Sequence, residues 1–161
     1  MTKAKLRFSP SILQRLGEEL NPNPDQGIIE LVKNAYDADA INCTIELKNV
    51  DSPGGSIVLV DDGYGMSERE IVDGWLLLGS SEKSTNKPTE LGRIPAGNKG
   101  LGRLAALRMG TGAALSTRPR NTASQYDLYI DWSKYEKAKT VDEVGFCLLY
   151  TSDAADECSG V

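Results

Sequence analysis

The alternation of apolar and polar residues is clearest over residues 28–40, IIELVKNAYDADA. Glu30, Asn34 and Asp37 fall at positions i, i+4 and i+7 of this stretch. In a helix they share one narrow polar stripe, with apolar residues on the opposite arc. This stripe has two interpretations. Most amphipathic helices carry a solvated polar face of this kind, but the same three side chains can also form one wall of a functional site.

Two more helices are predicted from start and stop signals. Ser9 followed by Pro10 is typical of a helix start, and the pattern predicts a helix to about Leu20 that NPNPDQG (residues 21–27) breaks. The segment GLGRLAALRMG (residues 100–110) is predicted to be a short helix whose terminal glycine stops it.

Short strands alternate with these helices. Strands are predicted for KLRF, CTIELKNV, SIVLV, AALSTR and SQYDLYIDW. SIVLV (residues 56–60) is apolar on both faces, which predicts a central strand. After it, Ser67 and Glu70 have the spacing of a capping box and predict a further helix. Strands in neighbouring pairs with helices between them favour the α+β class over a regular βαβ series.

Composition narrows the class of protein without selecting a function. The 161 residues suit one domain, and the net charge of −5 argues against direct nucleic-acid binding by this segment. No stretch approaches the ~20 apolar residues of a membrane span, and we see no secretory signal. Three cysteines without metal spacing fit a reduced, cytoplasmic setting. The sequence contains no histidine, which excludes a Ser/His triad and a phosphoaccepting histidine within it.

The stretch IVLVDDGYGM carries the second candidate feature. Asp61 ends an apolar strand, so its carboxylate needs hydrogen-bond donors, and the exocyclic amine of adenine is one. Gly63 and Gly65 lack side chains, which lets a flat base approach the backbone. An ordinary strand-to-turn exit has the same composition. A Walker-type magnesium site would need a G-x-x-x-x-G-K-[ST] run, which the sequence lacks.

A glycine-rich helix start is the third feature. GNKGLGR (residues 97–103) presents bare backbone N–H groups at a predicted helix N-terminus, which is suited to binding phosphate. A flexible loop entering a helix is the alternative. GLGRLA also fits a dinucleotide fingerprint, but no strand immediately precedes it. Residues 79–99 before it are polar and lack an apolar period, as in functional or disordered loops.

Taken in this order, the motifs resemble the ATPase superfamily of the gyrase B subunit, the ninety-kilodalton heat-shock chaperones, histidine kinases and MutL. The resemblance covers about residues 5–130 and implies a two-layer α/β sandwich, with helices on one face of a mixed sheet. FSPSILQRLGEELNPNPDQGIIELVKNAYDADA looks most similar to stand-alone bacterial ATP-binding proteins of the chaperone-like branch. ATP and Mg²⁺ are the implied cofactors.

The resemblance also implies a role for each motif residue. Glu30 is the implied general base that polarises the attacking water, and Asn34 the implied magnesium ligand. Asp37 supports the site, and Asp61 accepts from the adenine amine. The remaining implied nucleotide-binding residues are Gly63, Gly65 and Met66 at the base, and Gly97, Lys99, Gly100, Leu101, Gly102 and Arg103 at the phosphates, beneath a mobile lid formed by residues 80–99.

Glu30 favours hydrolysis over two alternatives. One alternative is a module that senses ATP without hydrolysing it, and the other is the ATP-binding part of a histidine kinase. Histidine kinases generally do not need a water-activating acid at this position. The expected partners are ATP, further domains of a longer chain and a second copy in a nucleotide-dependent homodimer.

The C-terminal stretch is interpreted differently. CLLYTSDAADE (residues 147–157) resembles one reading frame of the transposon adapter used to tag DNA-sequencing libraries. A genuine tail of small polar residues is the alternative. We expect residues 1–146 to be an ATP-binding domain that is incomplete at its C-terminal end, and residues 147–161 to be a non-native tail.

Overall fold

The computed structural model of the chain describes residues 6–20, 23–78, 87–96, 109–145 and 147–152. In these ranges the helices are α1 (Ser11–Leu20), α2 (Pro24–Asp37) and α3 (Ser133–Lys137), with a π-helical segment at Glu70–Trp75 and a 3-10 turn at Val141–Glu143. The strands are β1 (Cys43–Lys48), β2 (Ser56–Asp61), β3 (Gly112–Thr117), β4 (Ser124–Asp131) and β5 (Cys147–Ser152).

The N-terminal helices follow the apolar pattern with two differences. α1 ends at Leu20 as predicted, but α2 begins at Pro24, inside the predicted break, since a proline in the first helical turn has a φ suited to the helix and needs no N–H partner there. The strand predicted at KLRF is wrong over its described residues. Leu6, Arg7 and Phe8 form no strand, and the Phe8 carbonyl instead accepts a hydrogen bond from the Val141 amide at 3.0 Å.

β1 and β2 form an antiparallel hairpin in which Cys43 pairs with Asp61 and Lys48 with Ser56. The prediction that β2 is a central strand is wrong for the described residues, where β2 pairs with β1 alone. The apolar residues on the two faces of β2 are therefore not all covered, and Val60 is 61% exposed.

The hydrophobic core lies on the second sheet, which has the antiparallel order β3-β4-β5. Leu128 and Ile130 of β4 are buried together with Ile71 from the π-helical segment. Alternation along β4 follows the period of two, because Tyr129 between the two buried residues is 65% exposed.

The capping box is confirmed. The Ser67 amide donates to Glu70 Oε2 at 2.8 Å, and the Glu70 amide donates to Ser67 Oγ at 3.4 Å. These reciprocal bonds satisfy backbone donors at the start of the segment that buries Ile71.

Removal of this cap is expected to destabilise the fold. Glu70→Ala should lower the free energy of unfolding by about 1 kcal/mol, as loss of a helix cap does. Urea unfolding followed by circular dichroism measures the change. Glu68→Ala, at an exposed neighbouring position, is the matched control and should change stability little. Equal effects of the two substitutions would contradict the capping role.

The α+β class is confirmed. Every strand pair in the described ranges is antiparallel, so the predicted mixed sheet is not seen in them. Within the same ranges no helix is long and apolar enough to cross a membrane.

Residues 147–152 of the predicted tail form β5, which pairs with β4 so that Leu128 faces Leu148. A strand can be added to an open sheet edge through backbone hydrogen bonds whatever its origin. The pairing therefore does not test whether the tail is native, and that assignment stays a prediction.

Candidate functional site

The polar stripe of α2 carries three side chains with different environments. Glu30 is 28% exposed and accepts a 2.7 Å salt bridge from Lys33 Nζ. The Asn34 side chain is exposed, and Asp37 Oδ1 accepts a 2.7 Å hydrogen bond from the Ala96 amide. Ala35 is buried beside the stripe. The stripe is thus partly exposed to solvent, and at its C-terminal end Asp37 binds the segment that contains Ala96.

The chain leaves α2 through a strained, buried acidic residue. Asp39 has a φ of 59° and no exposed surface. Its carboxylate accepts hydrogen bonds from the Thr89 hydroxyl at 2.5 Å and the Leu91 amide at 3.1 Å. Burial alone raises the pKa of Asp39, but these hydrogen bonds, with Tyr64 and the charge of Arg93, outweigh it and leave the pKa below its usual value. Asp39 is therefore a charged anchor for the segment at 87–96.

Arg93 serves the same anchoring function. One of its guanidinium nitrogens donates to the Ala40 carbonyl at 2.7 Å and to the Tyr36 carbonyl at 3.2 Å, and the guanidinium lies 4.8 Å from the centre of the Tyr36 ring. Carbonyls at a helix C-terminus lack intrahelical partners, and a cation is favoured there. Since its side chain is used in this way, we do not assign Arg93 to the terminal phosphate.

The two aspartates after β2 have separate roles. Asp62 accepts hydrogen bonds from the amides of Ile41 and Asn42 at 2.7 and 2.8 Å and from the Asn42 side chain at 2.8 Å. These bonds, chiefly those from Asn42, lower the pKa of Asp62. Asp61 accepts only from the Gly63 amide, at 2.9 Å on Oδ1, among the described residues. The predicted role of Asp61 in base recognition stays a prediction.

Gly63 and Gly65 are required by protein packing. A Cβ on Gly63 would lie 2.8 Å from the Ala38 carbonyl oxygen, and a Cβ on Gly65 would clash with the Arg118 carbonyl. Gly65 also has a φ of 66°, which other residues rarely adopt. The predicted reason for both glycines was close approach of a base. The structure shows a protein neighbour for each, so the base is not needed to explain them.

The loop around these glycines is fixed from both sides. The Tyr64 amide donates to the Ala38 carbonyl at 2.9 Å, and the Met66 amide donates to Thr117 Oγ1 at 2.9 Å. The guanidinium of Arg120 lies 3.9 Å from the centre of the Tyr64 ring. Burial and a 2.8 Å hydrogen bond to Glu90 raise the pKa of Tyr64, so its hydroxyl stays a donor. The loop therefore joins the end of α2 to the end of β3.

Not all predicted residues fall within the described ranges. The structure places Glu30, Asn34 and Asp37 along α2. The C-terminal end of this helix contacts the loop of Asp61–Met66. The predicted phosphate-binding residues Gly97, Lys99, Gly100, Leu101, Gly102 and Arg103 lie outside the described residues, and their role stays a prediction. Residues 87–96 of the predicted mobile lid are bound to α2 through Asp37, Asp39 and Arg93.

The sequence patterns did not single out Asp39, Thr89, Arg93 or Thr117. Their partners lie about 50 residues away along the chain, and no spacing rule connects such positions. Asp39 lay inside the stretch predicted as helical, residues 28–40. In the structure it follows the C-cap Ala38, at a position where a residue often adopts the left-handed conformation.

The donor set fits a magnesium ion that is carried mainly by a nucleotide. In the described part of the chain no group of three or more acidic, cysteine or histidine side chains is placed to hold a metal ion. Magnesium commonly binds one or two protein oxygens and keeps its other contacts to phosphates and water. The exposed amide of Asn34 can supply one such oxygen.

Comparison with known proteins decides the family. The model of the histidine kinase-, DNA gyrase B- and HSP90-like ATPase family matches residues 23–156. The chain belongs to this ATPase family. Membership confirms the superfamily predicted from the motif order and implies ATP binding and hydrolysis.

A curated relative supplies a narrower comparison. The chain is 35% identical over 101 residues to a protein of Herpetosiphon aurantiacus named "Putative type II restriction enzyme HgiDII". The match covers 63% of this chain and 16% of the relative, so the chain spans about a sixth of the length of the curated relative it matches. The predicted chaperone-like subfamily receives no support from this name.

Proposed function

We propose that the chain is the nucleotide-binding part of a magnesium-dependent ATPase whose hydrolysis cycle changes the conformation of a longer protein. One observation carries the proposal. Glu30 and Asn34 lie on the polar stripe of α2. The C-cap residue of this helix, Ala38, accepts a 2.9 Å hydrogen bond from the amide of Tyr64, in the loop that follows Asp61. A base-reading carboxylate and a water-activating carboxylate are thus carried by connected elements.

Each residue of the stripe has a distinct task in this proposal. Glu30 accepts a proton from the attacking water, and Lys33 Nζ lies 2.7 Å from its Oε1. Asn34 offers its amide oxygen to the magnesium ion, which neutralises charge on the triphosphate when bound. Asp37 holds Ala96, which directly precedes the glycine-rich segment at 97–103. We propose Gly97, Gly100, Leu101, Gly102, Lys99 and Arg103 as phosphate-binding residues of that segment.

The ion-binding task of Asn34 has a direct test. Asn34→Ala should weaken ATP binding in the presence of magnesium by about tenfold and leave binding in EDTA unchanged, since a single ligand oxygen is lost. Titration of a fluorescent ATP analogue under both conditions measures this. Gln26→Ala, on an exposed position of the same helix, is the control. Equal weakening with and without magnesium would show that Asn34 acts by another route.

Two alternative functions of the site are distinguished from ATP hydrolysis by where the terminal phosphate goes. A sensor would bind ATP and release no phosphate, whereas a histidine kinase module would transfer it to a histidine that this sequence does not contain. Steady-state phosphate release by the full-length protein supports the ATPase and excludes both. A bound but intact nucleotide supports the sensor.

The process driven by hydrolysis is proposed from the relative's name. The relative named "Putative type II restriction enzyme HgiDII" is 35% identical to this chain over 101 residues, which favours an ATPase module within a protein that acts on DNA. The net charge of −5 assigns DNA contact to other parts of such a protein. Stimulation of phosphate release by duplex DNA in the full-length protein, but not in the isolated module, would support this role.

The complete domain is proposed to be a two-layer sandwich. Ile45, Leu47, Val58 and Val60 on the β1-β2 hairpin are 36–61% exposed, which leaves apolar surface for further elements to cover. We also propose further domains in the full-length chain, a nucleotide-dependent homodimer and a cytoplasmic setting, and retain residues 147–161 as a non-native tail. Resequencing the natural gene beyond the codon for residue 146 decides the last point.

A further inference from the structure

Tyr64 lies in the loop that follows Asp61, and its backbone and side chain are held by three other parts of the chain. The Tyr64 amide donates to the Ala38 carbonyl at 2.9 Å, and the Tyr64 carbonyl accepts from the Arg120 amide at 2.8 Å. The Tyr64 hydroxyl donates to Glu90 Oε2 at 2.8 Å. The residue therefore joins the end of α2 to the turn between β3 and β4 and to a third, separate segment.

The ring of Tyr64 is held on its face and at its tip. The guanidinium of Arg120 lies 3.9 Å from the ring centre, within the range of a cation–π contact. Arg120 thus contacts Tyr64 twice, through its backbone amide and through its side chain. The Tyr64 hydroxyl, besides its bond to Glu90, also faces the buried carboxylate of Asp39 and lowers the pKa of that group. The ring therefore has little freedom to turn.

One peptide group connects Tyr64 to the carboxylate of Asp61. The Gly63 amide donates to Asp61 Oδ1 at 2.9 Å, and Gly63 directly precedes Tyr64 along the chain. Glycine leaves the backbone more conformations than any other residue, and Gly63 and Gly65 stand on the two sides of Tyr64. Neither glycine has a side chain that could hold the backbone. The Tyr64 side chain is therefore the anchor that holds the Gly63 amide, and with it the Asp61 carboxylate, in one orientation.

The backbone of Asp61 is fixed separately, by the β1-β2 hairpin. Asp61 pairs with Cys43 at the end of β2, and the Asp62 amide donates to the Asn42 carbonyl at 3.3 Å. These contacts do not involve Tyr64. Loss of the Tyr64 side chain should therefore leave the hairpin in place and change the orientation of the Asp61 carboxylate.

We propose that the side chain of Tyr64, held by Arg120 and Glu90, positions the Asp61 carboxylate for recognition of adenine. Tyr64 and Arg120 are positioning residues, since they act on Asp61 through the Gly63 amide. This role rests on the proposed ATPase function, in which Asp61 reads the base. It adds the residues that set the preference of the site for adenine over guanine.

The affinities of the full-length protein for ATP and GTP distinguish this role from a general loss of stability. Adenine presents an amine to Asp61 and guanine a carbonyl, so a displaced carboxylate weakens ATP binding without weakening GTP binding. Tyr64→Leu, which removes the ring and the hydroxyl, should lower the ratio of ATP to GTP affinity by about tenfold, through loss of a cation–π contact and a hydrogen bond. Competition titration against a fluorescent nucleotide analogue measures the ratio.

Further variants separate the ring from the hydroxyl. Tyr64→Phe keeps the ring against Arg120 and loses the hydroxyl, and should lower the ratio by about threefold. Arg120→Gln removes the cation from the ring and retains the backbone amide, and should shift the ratio in the same direction. Because Arg120 is exposed, this variant tests the role if Tyr64→Leu does not fold. Tyr129→Leu, at an exposed tyrosine of β4, is the matched control and should leave the ratio unchanged.

A double variant shows whether Tyr64 acts through Asp61. Residues that act as a unit have non-additive effects, whereas independent residues have additive ones. Tyr64→Leu should therefore change the ratio in the parent and add little to the change that Asp61→Asn already causes. Equal effects of Tyr64→Leu in the two backgrounds would mean that Tyr64 acts by a route without Asp61, and would overturn the positioning role.

The remaining outcomes separate the positioning role from the proposed function. An unchanged ratio in both Tyr64→Leu and Arg120→Gln, or equal weakening of ATP and GTP binding, would overturn the positioning role while base recognition by the parent protein stands. A parent protein that binds ATP and GTP equally would overturn base recognition by Asp61 and the positioning role together.

Discussion

Glu30→Gln is expected to lower the rate of ATP hydrolysis by ~10²–10⁴ and to leave ATP affinity nearly unchanged. Glutamine keeps the size of the side chain and removes the basicity that the attacking water needs. Because the role proposed for Glu30 is to act on the water and not on the nucleotide, the effect should fall on kcat. Single-turnover phosphate release and a nucleotide titration, both on the full-length protein, give the two quantities separately.

Two controls isolate the basic carboxylate from its ion pair. Glu46→Gln removes another glutamate that pairs with a lysine, at 3.0 Å from Lys48 on β1, and should leave hydrolysis unchanged. Lys33→Met breaks the pair with Glu30 but keeps the carboxylate, and should change the rate far less than Glu30→Gln, since partly exposed ion pairs contribute little. A Glu30→Gln protein that hydrolyses ATP at the parent rate would refute the general-base role and favour the ATP sensor.

The elements with local signals were predictable from the sequence. α1 and the strands β1, β3 and β4 lie within two residues of the predicted bounds, and the Ser67–Glu70 capping box forms both of its bonds. In each of these cases the period of apolar residues or a short-range spacing determines the outcome. The same reasoning placed Glu30, Asn34 and Asp37 on one helical stripe.

The rest depends on contacts between distant residues, which no local pattern encodes. The sequence of β2 predicts a central strand because it is apolar on both faces. Its pairing, however, depends on which strands lie beside it, and in the described residues only β1 does. Gly63 and Gly65 are fixed by Ala38 and Arg118. Arg93 reads as one basic residue among several in a polar loop, and its partners at Tyr36 and Ala40 are known only from the fold.

Asp61 should make the site prefer adenine over guanine. The adenine amine can donate to the carboxylate oxygen of Asp61 that has no hydrogen bond within the described residues, whereas guanine presents a carbonyl at the same place and opposes two acceptors. Sites built on a specific hydrogen bond discriminate by up to ~10⁴ or more, because the protein group is otherwise unpaired. Asp61 is exposed in this structure, so water can partly relieve it, and we expect a preference of ~10² for ATP over GTP.

The variants Asp61→Asn and Asp62→Asn separate base reading from support of the loop. Asp61→Asn should weaken ATP binding and reduce the preference over GTP, because an amide presents only one oxygen and adds a donor. Asp62→Asn alters the neighbouring carboxylate, whose oxygens already accept hydrogen bonds from Ile41 and Asn42, so it should lower stability and leave the ratio of ATP to GTP affinity unchanged.

The lowered pKa of Asp62 supplies a second check. Its contribution to stability is complete above the unfolded pKa of about 3.9 and is lost as the pH falls through the lower folded pKa, so only the parent should show this acid-linked loss. Equal ATP and GTP affinities in a competition titration of the full-length parent would remove Asp61 from base recognition.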